Sequence, residues 1–235
     1  MMKKYSWTLA IFFAVFAFFK TTAQTFYGET IEVLQARLKA DTSLYHRIGE
    51  RFLVGDAPLT NRDLSTIYYG AALRPGYNPV QEERILDAMS SLGRRDRFTE
   101  ALSLCDNFLK KNPASLAAWL ERGYTCWLLE DSIQTVETYR KYYQLLDIPL
   151  RSGTGESFEQ AFVVASLRDV ELVVDKLGFV VKEQSLVMKD GPTEVSQHYQ
   201  IVKCEKEGDK TLKPTYYFNV DLPMSRGMQQ SLKKH

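Results

Sequence analysis

The hydrophobic periodicity of this chain changes once, near Pro149, and that change constrains the fold more than any other feature. From Glu29 to Leu146 apolar residues recur every three to four positions, the spacing of one helix face. Ile31, Leu34 and Leu38 make one such stripe, and Leu44, Ile48 and Phe52 make the next. After Pro149 the runs shorten and are divided by turn residues. Ala161–Ala165, Phe179–Met188, Val195–Cys204 and Thr215–Val220 read as strands, with turn signals at Asp190-Gly191-Pro192 and Glu207-Gly208-Asp209. One helix interrupts them, from Arg168 to Leu177, with Val170, Val173, Val174 and Leu177 inward and Gly178 as its stop. Consecutive strands joined by short turns fold as an antiparallel meander. The fold class expected is α+β. A helical-hairpin array over residues 24–149 precedes a small, mainly antiparallel sheet module with one helix over 150–223, and residues 224–235 form a flexible tail. The polar stretch Arg151–Ser157 reads as a linker between two separable modules.

Local signals place the helix ends. Asp41 is positioned to cap the second helix. Thr60, with Asp63 three residues on, approaches a capping box. The helix through Ile67 and Tyr68 must stop between Gly70 and Pro75, and Pro79 suits the first turn of the next helix. Between Gln81 and Leu146 a 34-residue spacing emerges: Ala101 with Thr135, Cys105 with Tyr139, and Trp119 and Gly123 following Pro113. This resembles the tetratricopeptide repeat, although Arg122, Cys126 and Met89 depart from its pattern. The resemblance implies stacked helix pairs, since one pair cannot bury its own apolar face. In that register Trp119, Gly123 and Cys126 pack inward, and Tyr124 and Trp127 fall on the side that lines the groove of such arrays.

The N-terminus carries an address. Lys3 and Lys4 precede thirteen apolar residues from Trp7 to Phe19, too few to span a bilayer but right for a secretory signal peptide over residues 1–23. Thr21 and Ala23 supply the small residues before a cut at Gln24. Cleavage removes Lys3, Lys4 and Lys20 and no acid, so 30 basic groups become 27 against 29 acidic ones, a net charge of −2. That balance gives no electrostatic reason to bind nucleic acid, and no membrane span remains in the mature chain. With 45% hydrophobic and 25% charged residues the chain is neither disordered nor a disulfide scaffold. Cys105, Cys126 and Cys204 form no C-x-x-C pair; Cys105 and Cys126 read as small apolar fillers of helix interfaces, with a bridge between them as the alternative in an oxidising compartment.

A second resemblance covers most of the chain, from about Ser43 to Asp221. Its residues are Leu59-Thr60, Ile67-Tyr68-Tyr69-Gly70, Pro75-Gly76-Tyr77-Asn78-Pro79, Asn112-Pro113, Gly153-Thr154-Gly155, Ala161-Phe162-Val163-Val164, Arg168-Asp169, Gln184-Ser185-Leu186 and Tyr217-Phe218-Asn219-Val220. In this order they resemble exported Bacteroidetes proteins grouped as domain of unknown function 4919. The resemblance implies a periplasmic or cell-envelope location and carries no catalytic residues.

Motifs of chemistry are sparse. Gly153–Ser157 lacks the lysine and spacing of a phosphate loop. His46 and Glu50 share a helix face without a third metal ligand, and His198 and Cys204 stand too far apart along a strand to act as a base–nucleophile pair. No catalytic, cofactor or metal residues are assigned, and no cofactor is expected. The candidate partner-binding residues are Tyr124 and Trp127 on the repeat, with Tyr69 and Tyr77 framing an aromatic pocket in the Pro-rich corner; the alternative is structural, the corner tyrosines pinning the helix–loop–helix turn and Trp127 packing on the helix of Tyr139 and Tyr143 or under the sheet. Of the adjacent Tyr68 and Tyr69, one should pack and the other reach a surface or a hydrogen bond. The function expected is a non-enzymatic envelope protein whose helical array binds a protein or peptide. The alternative is an enzyme on envelope glycan or peptide, with a site at the module junction near Arg168, Asp169 and Glu171.

Overall fold

The box at Thr60 is formed. Thr60 Oγ1 accepts from the Asp63 N–H (3.1 Å) while the Asp63 carboxylate accepts from the Thr60 N–H (3.0 Å). It starts α3 (Asn61–Leu73) in the computed structural model, which describes residues 29–55, 58–190 and 196–225. The signal-peptide cleavage site and the Asp190-Gly191-Pro192 turn lie wholly or partly outside the described residues. Before α3 come α1 (Ile31–Ala40) and α2 (Leu44–Val54). Asp41 does not cap α2. Its carboxylate instead takes the N–H and hydroxyl of Ser43 and the guanidinium of Arg47, a tight turn between the two helices. Then follow α4 (Pro79–Gly93), with Pro79 at its start and Asn78 as its cap, α5 (Phe98–Lys111), α6 (Leu116–Leu128) and α7 (Ser132–Leu150).

From α4 to α7 each helix packs on the next, and α3 is enclosed by α1, α2 and α7. That enclosure leaves α3 no solvent face, so its residues from Leu64 to Gly70 are all buried. The close contact of α6 and α7 depends on Gly123, where a Cβ would come within 2.9 Å of Tyr139 Cζ. Ala101, Cys105, Trp119 and Cys126 all lie on buried faces, and the three cysteines are free thiols.

The C-terminal part comprises β1 (Phe162–Val163), α8 (Asp169–Lys176), β2 (Phe179–Asp190), β3 (Ser196–Lys206) and β4 (Thr215–Asn219). The sheet order is β1-β4-β3-β2. The meander β2-β3-β4 is antiparallel, and β1 pairs parallel to β4 through Phe162 with Phe218 and Val163 with Asn219. An array of helices followed by a small mixed sheet is therefore the α+β architecture that the periodicity indicated.

Arg151–Ser157 is not a loose linker. Ser152 Oγ donates to the Pro149 carbonyl and accepts from the Val163 N–H, both at 2.7 Å, which ties the end of α7 to β1. Gly155, at φ +73°, donates to the Gln160 carbonyl and accepts from the Tyr217 N–H. One continuous hydrophobic core runs from Leu34 through Ile67 and Leu146 to Phe162, Val174 and Phe218. Met224 and Ser225, expected in the tail, belong instead to a helical turn over residues 221–225 that buries Leu222 and rests Met224 on the core, and the rest of the expected tail lies outside the described residues.

Candidate functional site

Two aromatic groups stand out, and the fold treats them in opposite ways. The first is on α6 and α7. Ser115 caps α6, and Trp119, anchored by its Nε1–H to the Pro113 carbonyl (2.8 Å), fixes the helix on its buried side. The opposite side presents Tyr124 and Trp127, 48% and 60% exposed, whose rings stack 5.8 Å apart. On α7 the exposed Ile133, Val136 and Tyr143 follow at intervals of three and seven, the spacing of one helix face. Tyr139 bridges the seam: it lies over Gly123, and its ring centroid is 6.4 Å from that of Tyr143. Lys176 of α8 closes one end, with Nζ 4.6 Å from the Tyr143 ring centroid. The aromatic stack on α6 and the exposed Ile133 and Val136 on α7 are the large hydrophobic side chains that these two helices leave open to solvent together with Leu129 and Tyr143.

The second group joins the helices to the sheet. Tyr68 and Tyr69 are fully buried and Tyr77 is nearly so. All three hydroxyls reach the segment around β1. Tyr68 donates to Asp169 Oδ2 (2.6 Å) and accepts from the Ala165 N–H (3.4 Å). Tyr69 donates to the Val163 carbonyl (3.4 Å) and Tyr77 to the Ala165 carbonyl (3.3 Å). These bonds explain why the expected strand Ala161–Ala165 forms only two ladder residues. Its free side is satisfied by tyrosine side chains rather than by another strand.

Asp169, at the start of α8, is buried among these groups. Burial lifts its carboxyl to about 7, and the hydrogen bonds from Tyr68 and the Ser166 N–H pull against that rise. Beside it lies a cavity of about 30 Å³, lined among others by Arg74, Tyr77, Glu82, Asn112 and Ser166. Glu82 is also pushed up by burial and is held by the Arg74 guanidinium, which further binds the Ala71 and Lys111 carbonyls. Asn112 Oδ1 has no hydrogen-bond partner there. This space admits about two waters. Arg168 turns away to pair with Glu83 and Asp87 of α4, and Glu171 is exposed.

A larger cleft of about 340 Å³ opens between α2, α5, α6 and α7. Two of its cations, Arg122 and Lys141, are already engaged. Arg122 binds Asp106 (2.7 Å), Gln134 (3.0 Å) and Thr138, and Lys141 donates to the Leu53 carbonyl (2.6 Å) beneath the Trp119 ring.

Of the four candidate residues, the fold brings Tyr124 and Trp127 together on an exposed face, outside the lining of the cleft. Tyr69 and Tyr77 frame no open pocket, because their rings are buried and their hydroxyls serve β1. Sequence reasoning missed Tyr139, Tyr143 and Lys176 as members of the exposed face. The four-residue spacing of the two tyrosines was a visible signal, while Lys176 had none. His46 and Glu50 are exposed; His198 pairs with Asp221 (2.8 Å), and Cys204 is buried with its thiol raised to about 11. Among the described residues no group of three His, Cys, Asp or Glu side chains could hold a metal ion, and no helix is long and apolar enough to cross a membrane.

Comparison with known proteins gives one match. The model of a family described only as a domain of unknown function (DUF4919) matches residues 34–229, well over half of the chain. No curated protein and no solved structure matches.

Proposed function

The chain belongs to the DUF4919 family, and on that premise we propose that it is an exported, non-enzymatic envelope protein that binds a protein or peptide through the α6–α7 face. The carrying observation is the stacked Tyr124–Trp127 pair, exposed on α6 while the neighbouring α7 exposes Val136 and Tyr143. Rings of this kind bury a large area on contact at little conformational cost and keep one polar tip for a hydrogen bond. The tetratricopeptide-like spacing supports the same reading, because the outer face of a last helix pair lacks the neighbour that would cover it. Export rests on Lys3, Lys4 and the apolar run from Trp7 to Phe19. The enzyme reading has one suitable group, the Asp169 carboxyl, but the cavity beside it is far below the roughly 300 Å³ at which ligand pockets begin.

The test pairs location with binding. The envelope fraction should contain a chain beginning at Gln24, and intact Met1 would refute export. In capture from envelope extract, Tyr124→Ala and Trp127→Ala should keep the parent melting temperature and lose the bound partner. Retained capture, or a partner equally lost on substituting exposed residues elsewhere, removes the assignment of the face.

A further inference from the structure

The two edges of the sheet are finished differently. At β1 the outer backbone groups are met by Tyr69, Tyr77 and Tyr68. At the other edge β2 runs for twelve residues with no strand on its outer side among the described residues. Such an edge presents a row of N–H and C=O groups able to pair with another strand. Beyond the bulge between Val181 and Glu183 the strand is regular to Asp190 and almost wholly exposed. Leu186 and Met188, 50% and 66% exposed, lie on the face that carries Phe218, beyond the end of the core it helps to form.

We propose that β2 pairs antiparallel with β2 of a second copy of this chain about a two-fold axis, joining two four-stranded sheets into one of eight. Charge complementarity selects that occupant and its register. Residues directly opposite each other in an antiparallel pair share a face, so a two-fold pairing sets one residue against its own copy. With Leu186 on the axis, Ser185 faces Val187, Gln184 faces Met188, and Glu183 faces Lys189 of the second copy. Symmetry repeats each pair, so the register forms two opposite-charge contacts. Moving the axis to Ser185 sets Lys189 against Val181 and Glu183 against Val187. Moving it to Val187 sets Lys189 against Ser185 and leaves Glu183 beyond the end of the strand. The alternating charges are therefore self-complementary in one register, whereas a charged edge commonly serves to repel another strand.

Existing contacts permit the pairing. Glu183 accepts from Lys203 (2.6 Å) and Lys189 Nζ lies 2.8 Å from Glu159, but all four groups are solvent-exposed and such pairs are weak. A second partner joins them without burying an unpaired charge. The Leu186 side chains meet across the axis, with Met188 diagonal to them, and remove apolar surface that one copy leaves in water.

Sedimentation of the purified full chain over a concentration series is the test. A monomer–dimer equilibrium is expected. Lys189→Glu, which places two carboxylates against two others, should weaken it roughly tenfold or more. Glu183→Lys combined with Lys189→Glu should restore it. A chain that stays monomeric overturns the proposal, even if a strand of another protein takes the edge. So does a dimer indifferent to Lys189→Glu. Circular dichroism of each variant checks that the fold is intact, and rescue by the double variant separates pairing from folding.

Discussion

At one edge of the sheet, β1 contributes two ladder residues and is covered by three tyrosines that arrive from far upstream. At the other, β2 contributes twelve residues and is covered by nothing among the described residues. Both are edge strands whose outer backbone groups have no neighbouring strand among the described residues. The difference shows that a short, fully apolar strand is tolerated where side chains replace the missing neighbour, and a long one where its exposed residues are mostly polar or charged. The aromatic residues divide in parallel. Tyr68, Tyr69 and Tyr77 have their hydroxyls placed and their rings enclosed, which makes them structure. Tyr124 and Trp127 stack on each other and leave about half of each side chain open to solvent.

Substitution at the covered edge should break this contrast most visibly. Tyr69→Ala empties a fully buried aromatic site and frees the Val163 carbonyl, so it should cost roughly 3–5 kcal/mol and lower Tm on the order of 10 °C. Because one core spans both regions, the loss should appear as a single transition in near- and far-UV circular dichroism. Two separate transitions would show that the helical array and the sheet fold independently.

A smaller effect concerns pH. Asp169 holds its proton in the folded state up to about 7, whereas an ordinary aspartate releases it near pH 3.9. The folded state binds the extra proton between those values, so this group's stabilisation is complete below the lower one. It declines as pH rises and is lost once pH passes the folded value. Thermal melts from pH 4 to 8 should therefore show stability falling with pH, and Asp169→Asn should flatten the slope. Glu82, also raised by burial, contributes in the same direction and should leave a residual slope in that variant. An unchanged slope would place the proton elsewhere.

The smallest changes belong to the open surfaces. Trp127→Ala and Leu186→Ser, measured under conditions where the chain is monomeric, should each move stability by no more than about 0.5 kcal/mol. A fall of several kcal/mol at Trp127 would make the ring a packing residue and return the α6–α7 face to the core.

Local signals wrote much of the fold directly into the sequence. The capping box at Thr60, the stop before Pro75, the start at Pro79 and the positive-φ Gly178 after α8 each act within a few residues, so each could be read from a few residues. The three long strands followed from alternation between turn signals, and Tyr124 and Trp127 from their offset to Trp119 and Gly123. What the tertiary structure alone decided is where distant side chains arrive. Nothing near Tyr68 announces Asp169, 101 residues away, nor does Tyr77 announce Ala165, 88 residues on. A helix pattern reports which residues share a face but not whether another layer covers that face. Tyr69 and Tyr77, whose types suit a binding pocket, were therefore enclosed by the sheet. The apolar run at β1 read as a longer strand because its partners were side chains rather than backbone. Sheet order obeys the same limit: alternation defines a strand, and only the assembled sheet determines which strand lies at its edge.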